Sequence, residues 1–497
     1  MIEDARTFSD GDDLEFDVCI IGSGPSGMSA ALSLQGSGLR VVVLESGGLD
    51  EEPESDALQG GAMLGINTWT PDRWRVRRLG GTSRIWAGWC RPLGREDFEA
   101  RDHVAHSGWP IGLDDLVPFY ARAQERLDLG DFFYDPQAIA AAAGRPLVMA
   151  EREAISHEIY QYSPPTRFGD KYRSELERSE DVRVILHANV VDVVLEDGLG
   201  RVDRVVASTL EGLRFTVRAG RFALACGGLE NPRVLLNANS QIPEGIANGS
   251  DNVGRFFMEH PHYYGSSSWL VNGAPSWDAY ERRRTDVDVD GARLAVDTRV
   301  VLGLSAQVRE DEGLLRFGAE LVPYDTLSDQ TGPLGPGTIQ ALSRAESEQQ
   351  GFVAMNLRCE QSPNPDSRVT LGDDVDALGL PQLNLNWQVG PNDDAQLKRA
   401  MELLGAELGA AGLGRLWAPT QEGRFTWNRQ PGGHHMGTTR MSADPADGVV
   451  DANLRCHDVE NLYVLGASVF TTGGDANPTL TAVALAERWA DHIRETT

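Results

Sequence analysis

The sequence predicts an α/β fold, α+β overall, in which one domain with a parallel sheet is assembled from discontinuous segments and a second domain carries a largely antiparallel sheet. Residues 16–46 read as strand, glycine turn, helix and strand. The order of strand, glycines and helix returns over residues 215–232. Between about residues 261 and 428, apolar and polar residues alternate, which is typical of antiparallel strands.

The first strand and helix are joined by glycines at the spacing of a dinucleotide-binding turn. A short apolar run ends at Ile21, the pattern of a strand buried on both faces. Gly22 permits a sharp turn, Gly24 lets backbone N–H groups approach a pyrophosphate, and Gly27 lets the helix pack close to the strand. We expect the pyrophosphate at the helix N-terminus, where unpaired N–H groups favour an anion.

An acidic residue follows the next predicted strand. Residues 41–44 form an apolar run that ends at Glu45, about 20 residues past the glycines. A carboxylate at this position accepts both hydroxyls of an adenosine ribose and repels a 2′-phosphate, which disfavours NADP. The motif predicts a dinucleotide and leaves FAD and NAD open.

Composition limits the classes of partner. The chain has 497 residues, is 41% hydrophobic and carries a formal net charge of −29. This charge disfavours nucleic acid and anionic membranes as partners and indicates solubility more than attraction of a cationic substrate. No H-E-x-x-H or similar ligand spacing is present, so we expect no metal.

The cysteines and the start of the chain favour a cytoplasmic protein. The five cysteines are scattered and form no C-x-x-C pair, which fits buried thiols in a reducing compartment. The first residues are acidic and polar, unlike a secretory signal, and no apolar run reaches the length of a membrane span.

Residues 324–348 are rich in Gly and Pro, and this composition predicts a loop.

Several further segments carry glycines or histidines next to predicted elements. In residues 80–89, Gly-Gly-Thr-Ser exposes backbone N–H groups and tryptophans supply flat apolar walls. Residues 432–441, GGHHMGTTRM, form a loop with two histidines. Pro478 is placed at the first turn of a C-terminal helix, whose N-terminus is a second site that stabilises an anion.

These motifs together resemble the glucose–methanol–choline (GMC) oxidoreductase family of FAD enzymes. They occur in family order and include GSGPSG, RLGGTSRIW, ACGGLENPRVLL, VGRFFMEHP, EQSPNPDSRVTLG, HHMGTTRM and LYVLGASVFTTGGDANPTLTAVALA. The ANPTLTA motif is most similar to the branch with pyranose oxidases and bacterial glycoside 3-oxidases. The resemblance implies a Rossmann-like FAD-binding domain and a substrate domain with a largely antiparallel six-stranded sheet. We assign residues 1–145, 181–262 and 432–497 to the first domain and residues 146–180 and 263–431 to the second.

The resemblance also implies the site residues. His434 matches the family's catalytic histidine, and Asn477 matches its partner. Pyranose oxidases attach FAD through a histidine at the position of Ile85, so we expect FAD to bind non-covalently. The residues expected to contact FAD are Gly22, Gly24, Ser26, Gly27, Glu45, Ser46, Gly81, Thr82, Ser83, Trp86, Val190, Gly466, Ala467, Asn477, Pro478 and Thr479.

The expected reaction is oxidation of a secondary hydroxyl of a sugar or glycoside to a ketone. Histidine suits removal of the hydroxyl proton because its ordinary pKa lies near 6.5, and flavin N5 accepts the hydride. We expect His434 to be the base and Asn477 to hydrogen-bond the substrate oxygen. His435 is expected to be structural, and His260 and His262 to be structural more often than substrate contacts.

Three other functions remain open at this point. The first is oxidation of a primary hydroxyl of an aminoglycoside-type amino sugar to an aldehyde, for which the acidic charge offers some support. The second is flavin binding without redox turnover, and the third is an NAD-dependent dehydrogenase. The sequence leaves open whether oxygen, a quinone or a redox partner accepts the electrons, and it does not reveal the oligomeric state.

Overall fold

The computed structural model describes residues 1–66, 69–272, 276–289, 291–323, 350–418, 420–421, 424–425 and 429–496. The Gly- and Pro-rich segment 324–348 therefore lies outside the described residues. The strands are, in chain order, β1 (Ile2–Asp4), β2 (Asp13–Ile21), β3 (Val41–Leu44), β4 (Gly61–Met63), β5 (Trp89–Cys90), β6 (Ile155–Tyr162), β7 (Val182–Leu186), β8 (Asn189–Leu195), β9 (Val202–Ser208), β10 (Arg214–Leu224), β11 (Pro261–Asn272), β12 (Arg283–Val289), β13 (Ala292–Leu304), β14 (Phe317–Pro323), β15 (Gln350–Cys359), β16 (Arg368–Val375), β17 (Pro381–Asn386), β18 (Gly414–Trp417), β19 (Thr420–Gln421), β20 (Arg424–Phe425), β21 (Arg429–Pro431) and β22 (Leu462–Val464).

The α-helices of the described residues are α1 (Pro25–Ser33), α2 (Pro53–Ala57), α3 (Arg95–Phe98), α4 (Val117–Arg126), α5 (Pro136–Ala142), α6 (Phe168–Lys171), α7 (Arg173–Arg178), α8 (Glu230–Asn237), α9 (Ala306–Glu312), α10 (Pro391–Ala410) and α11 (Thr479–Glu495). In this described part of the chain, none of the helices combines the length and apolarity that a membrane crossing requires.

The first large sheet has eight strands in the described residues, in the order β1-β7-β3-β2-β10-β9-β8, with β22 beside β10. Strand β2 pairs in parallel with both β3 and β10, although about 200 residues separate it from β10. All four residues of β3 are buried, as expected for a parallel sheet covered on both faces. The prediction that segment 215–232 returns to the first sheet is therefore confirmed.

The second large sheet is antiparallel, in the order β18-β11-β15-β14-β13-β6-β5, with β12 beside β13 and β21 beside β11. It has nine strands in the described residues, whereas the resemblance implied six. The difference includes short strands such as β5 and β21, which are too brief to show alternation in the sequence. Strand β17 alternates as predicted, but it belongs to a separate three-stranded sheet with β16 and β4.

Two hydrophobic cores correspond to the two large sheets. The first core includes residues of β2, β3, β10 and α11, and the second includes residues of β13, β14, β15 and α10. The mixed α/β class with a parallel and an antiparallel sheet is confirmed. The domain boundaries stay a prediction, and β5 from segment 1–145 pairs with β6 of the antiparallel sheet.

Candidate active site

A cavity of ≈470 Å³ lies at the carboxyl ends of the parallel strands. Gly22 follows β2, Glu45 follows β3, Cys226 follows β10 and Gly466 follows β22, and all four residues line the cavity. Ligands of open α/β sheets bind at this edge, because loops and helix N-termini converge there. The position of the cavity therefore agrees with the dinucleotide motif.

Most of the predicted cofactor residues line this one cavity. They are Gly22, Gly24, Ser26, Glu45, Ser46, Gly81, Thr82, Trp86, Val190, Gly466, Ala467, Asn477, Pro478 and Thr479. Gly27 lies behind the turn, where an added Cβ would come within 2.0 Å of the Gly22 carbonyl oxygen. Ser83 is also behind the wall: its hydroxyl donates to Gly80 O at 2.6 Å and accepts from Phe168 N–H at 3.1 Å. These two residues therefore support the wall without lining it.

The Glu45 carboxylate is held in place by the loops around it. Its Oε2 accepts hydrogen bonds from the Ser23 N–H at 3.0 Å and the Ser23 hydroxyl at 2.5 Å. Its Oε1 accepts from the Gly47 N–H at 2.9 Å. A carboxylate that is oriented before ligand binding loses less freedom when it accepts ribose hydroxyls.

Sequence reasoning missed a group of arginines in the cavity wall. Glu230, at the start of α8, contacts Arg75, Arg77 and Arg233. Burial raises the pKa of Glu230, but the three guanidinium groups outweigh it, and the pKa is lowered. Arg75 and Arg77 lie 155 and 153 residues before Glu230 in the chain, so no local motif indicated the cluster.

The predicted base, His434, lines the same cavity and lies next to His260. The Nδ1 atoms of the two rings are 2.9 Å apart, and His260 Nε2 lies 3.3 Å from the Gly473 carbonyl oxygen. A carbonyl only accepts, so His260 Nε2 carries a proton and the Nδ1 of the neutral ring is an acceptor. His434 Nδ1–H must then donate, which leaves a lone pair on His434 Nε2.

Both rings are neutral at pH 7. Burial lowers the pKa of His434 well below its ordinary value, and the neighbouring His260 lowers it further. Burial also lowers the pKa of His260, to about 4. His434 is therefore an unprotonated imidazole that is suited to accept a proton.

Glu259 fixes the backbone of the loop that carries the base. Its carboxyl oxygens accept N–H bonds from His434 at 2.9 Å and from Gly432 and His260 at 3.0 Å. Burial raises the pKa of Glu259 to about 8, although these hydrogen bonds act in the opposite direction. His435 stacks on Trp69 with ring centroids 5.2 Å apart and also lines the cavity, so its structural role stays a prediction.

Asn477 lies just before α11 and lines the same cavity. Its Oδ1 is buried and has no hydrogen-bond partner among the described residues. Buried amide oxygens are normally satisfied, so this atom points to a ligand. Two residues earlier, Asp475 is anchored by Arg91 and Arg316.

The arrangement fits a bound FAD. A Cβ on Gly22 would lie 2.7 Å from the Ala225 carbonyl oxygen, whereas at Gly24 the nearest described heavy atom would be 4.0 Å away. The turn is thus closed on the protein side and open at Gly24, as backbone approach to a pyrophosphate requires. Ile85 lines the cavity and is 47% exposed.

Comparison with known proteins identifies two family models in the chain. The model described as FAD dependent oxidoreductase matches residues 17–246, and the model described as GMC oxidoreductase matches residues 363–486. The 6'''-hydroxyparomomycin C oxidase of Streptomyces lividus is 28% identical, over 96% of this chain and 91% of the relative. The C-glycoside 3-oxidase of Microbacterium trichothecenolyticum is 32% identical over 29% of this chain and 27% of the relative.

A solved structure has the same fold. The pyridoxine 4-oxidase from Mesorbium loti superposes with a TM-score of 0.60 at 18% identity, over 96% of this chain and 99% of the other. The two family models together include the glycine turn and Asn477, which both line the cavity. The chain belongs to the GMC oxidoreductase family of FAD-dependent enzymes, and its relatives include a pyranose 2-oxidase and C-glycoside 3-oxidases.

Proposed function

We propose that this enzyme oxidises a secondary hydroxyl of a sugar or glycoside to a ketone, with His434 as the base. The observation that carries the proposal is the hydrogen bond between His434 Nδ1 and His260 Nδ1 at 2.9 Å. It directs the His434 proton away from Nε2 and leaves that atom as an acceptor for a hydroxyl proton.

The reaction separates an O–H and a C–H bond of one carbinol group. His434 Nε2 takes the hydroxyl proton, while Asn477 holds the substrate oxygen through its side-chain amide. A bound FAD would supply the hydride acceptor, its N5 atom. The alcohol thus loses two electrons and two hydrogens and becomes a carbonyl compound.

Named relatives support a sugar substrate but differ in the hydroxyl. C-glycoside 3-oxidases and a pyranose 2-oxidase match parts of the chain. The 6'''-hydroxyparomomycin C oxidase, which matches 96% of the chain, supports the second candidate, a primary hydroxyl of an amino sugar. Locating the oxidised carbon of the product distinguishes a ketone from an aldehyde.

We expect the FAD to be bound without a covalent link. Ile85 stands at the position where pyranose oxidases carry the attaching histidine, and an alkyl side chain forms no bond to flavin. Acid or heat precipitation of the yellow protein should leave all flavin in the supernatant. Flavin retained on the peptide would contradict this expectation.

The test of the function is anaerobic titration of the holoenzyme with glucosides, C-glycosides and amino sugars. We expect bleaching of the visible flavin absorbance by a sugar and a keto-sugar product. A flavin that no alcohol or sugar bleaches would support the non-redox alternative and overturn the proposal. Reoxidation of the reduced flavin by oxygen, a quinone or an added redox protein then identifies the electron acceptor. We expect the enzyme to act in the cytoplasm.

A further inference from the structure

A cross-strand pair lies in the cavity wall close to His434. His262 of β11 and Arg358 of β15 are directly opposed in the antiparallel register, so their side chains share one face of the sheet. Both residues are buried and both line the cavity beside His434. The sheet therefore presents a guanidinium and an imidazole to whatever lies against the base.

Each member of this pair has a polar atom that is not used within the protein. Among the described residues, Arg358 Nη1 and His262 Nε2 are buried without a hydrogen-bond partner. His262 Nδ1 lies 2.7 Å from the Tyr264 hydroxyl oxygen. A tyrosine hydroxyl can donate or accept; when it donates to Nδ1, the imidazole proton is on Nε2, and that atom is a second donor beside Arg358 Nη1.

The charge of Arg358 is only partly compensated. Its Nη2 lies 3.6 Å from Glu320 Oε2, and the same carboxylate also contacts Arg299. One carboxylate thus serves two guanidinium groups. The Arg358 guanidinium lies over the Trp89 ring, with its carbon 3.8 Å from the ring centroid, and this cation–π contact helps to hold the group in place.

The carboxylates among the other described lining residues are both engaged by groups of the protein. Among the described lining residues, the carboxylates are Glu45 and Glu230. Glu45 is held by Ser23 near the glycine turn, and Glu230 is surrounded by arginines. A cationic amino group would therefore meet an arginine whose charge is only partly compensated, and no unengaged lining carboxylate.

We infer that Arg358 and His262 bind a carboxylate of the substrate, so that the preferred sugar is a uronic acid or a glycoside of one. Two donors and one excess positive charge match the two oxygens and single charge of a carboxylate. This inference rests on the proposed function, because it names the class of sugar that is placed against His434. It disfavours the amino sugar alternative.

The test compares methyl glucuronide with methyl glucoside, which differ only in the carboxylate. In the wild-type holoenzyme we expect the glucuronide to bind more tightly, measured by perturbation of the flavin spectrum and by anaerobic reduction. Arg358→Gln should weaken glucuronide binding by roughly 10- to 100-fold and glucoside binding by a smaller factor. If Arg358→Gln weakens the binding of both sugars equally, the inference is overturned, while the proposed function still stands.

Two variants control for folding and for charge alone. Arg358→Lys keeps the ion pair with Glu320 but loses the planar fork, so it should retain part of the preference for glucuronide. Arg293→Gln removes an exposed arginine of the same sheet and should leave the ratio between the two sugars unchanged. A loss of preference in Arg293→Gln equal to that in Arg358→Gln would contradict a local site.

Acetate and a sugar phosphate provide a readout that needs no turnover. Acetate should perturb the flavin spectrum of the wild type and compete with the glucuronide, but should do neither in Arg358→Gln. Binding of acetate without reduction by any sugar would support the anion site while removing the proposed function. Tighter binding of methyl glucoside 6-phosphate than of the glucuronide would overturn the assignment to a carboxylate.

Discussion

His434 depends for its reactive form on a residue that lies 174 positions away in the chain. The Gly473 carbonyl requires a proton on His260 Nε2, and the neutral His260 ring then accepts the His434 Nδ1 proton. A partner that fixes the tautomer of a functional histidine also fixes the orientation of its ring. His260 is thus a positioning residue for the proposed base.

Replacing His260 tests this role. His260→Phe removes the acceptor and should slow anaerobic flavin reduction by roughly 10- to 100-fold, as is typical for loss of an outer partner of a functional histidine. His260→Gln keeps an acceptor oxygen and should recover part of the rate. Sugar affinity, measured by the flavin spectrum, should change little. Flavin reduction at the wild-type rate in His260→Phe would remove His260 from the mechanism.

The pH dependence follows from the low pKa values of the two rings. A lowered pKa means that the neutral form persists as pH falls, and the pKa of His260 is about 4. The reduction rate should stay level from pH 7 to about pH 5 and fall only toward pH 4, when protonated His260 can no longer accept from His434. A fall centred near the ordinary histidine value of 6.5 would contradict this account.

At the residue scale, the sequence was informative wherever a motif is contiguous. His434, Asn477 and Glu45 stand in recognisable stretches, and all three line the cavity. His260 was expected to be structural more often than functional, because its contact with His434 is made only by folding. Arg358 carried no signal, since it stands in an ordinary strand and acquires its neighbours through sheet register.

The turn between β2 and α1 contains two glycines that are required for different reasons. Gly22 has φ +104°, and an added Cβ would lie 2.7 Å from the Ala225 carbonyl oxygen. Gly24 has an ordinary φ of −66°, and its Cβ position is open toward the cavity. The first glycine is required by the backbone and the second by a close ligand.

Alanine should lower the stability at Gly22 and the affinity for FAD at Gly24. Gly22→Ala should lower the free energy of unfolding by roughly 1–3 kcal/mol through backbone strain and crowding. Gly24→Ala should keep the stability of the apoprotein within about 0.5 kcal/mol but weaken FAD binding, because the methyl group occupies the path of the pyrophosphate. Chemical unfolding and FAD titration measure the two effects. Equal FAD affinity in Gly24→Ala and the wild type would contradict the placement of the pyrophosphate.

Strands with a strong apolar pattern are predictable from the sequence, but the strands with which they pair are less so. Residues 41–44 were predicted as a strand, and β3 has those bounds. The alternation of β17 indicated a strand correctly, but alternation does not specify which sheet the strand joins. The two residues of β5 are too few for any periodicity, so their pairing with β6 was not predictable.

At the scale of the molecule, a buried ion cluster connects the antiparallel sheet to the segment before α11. Arg316, next to β14, contacts Asp475, Asp97 and Glu96. Arg316 and both aspartates are buried. Because Asp475 lies two residues before Asn477, the cluster also holds one wall of the cavity.

Removal of this cation should be costly. Arg316→Gln removes the salt-bridge partner of the buried Asp97 and leaves Asp475 with Arg91 alone, so it should lower the free energy of unfolding by roughly 3–5 kcal/mol. The matched control is Arg282→Gln, which breaks an exposed pair with Asp297 and should cost about 1 kcal/mol or less. Urea unfolding of both variants measures the difference. Similar losses of unfolding free energy in the two variants would show that the ion cluster does not hold the segment before α11 to the antiparallel sheet.

Net charge is a property of the whole surface and does not predict the charge of the site. The chain carries −29 overall, yet Arg75, Arg77, Arg233 and Arg358 line the cavity. The formal charge favoured a cationic substrate only weakly, and the structure gives the cavity the opposite character. Composition therefore limited the classes of macromolecular partner better than it indicated the substrate.

The central claim is that His434 removes the substrate proton beside the bound FAD. The most direct measurement is stopped-flow anaerobic reduction of wild-type and His434→Ala enzymes loaded with equal FAD. The account predicts unchanged flavin content and reduction that is slower by roughly a hundredfold or more in the variant. Reduction of His434→Ala at the wild-type rate would contradict it.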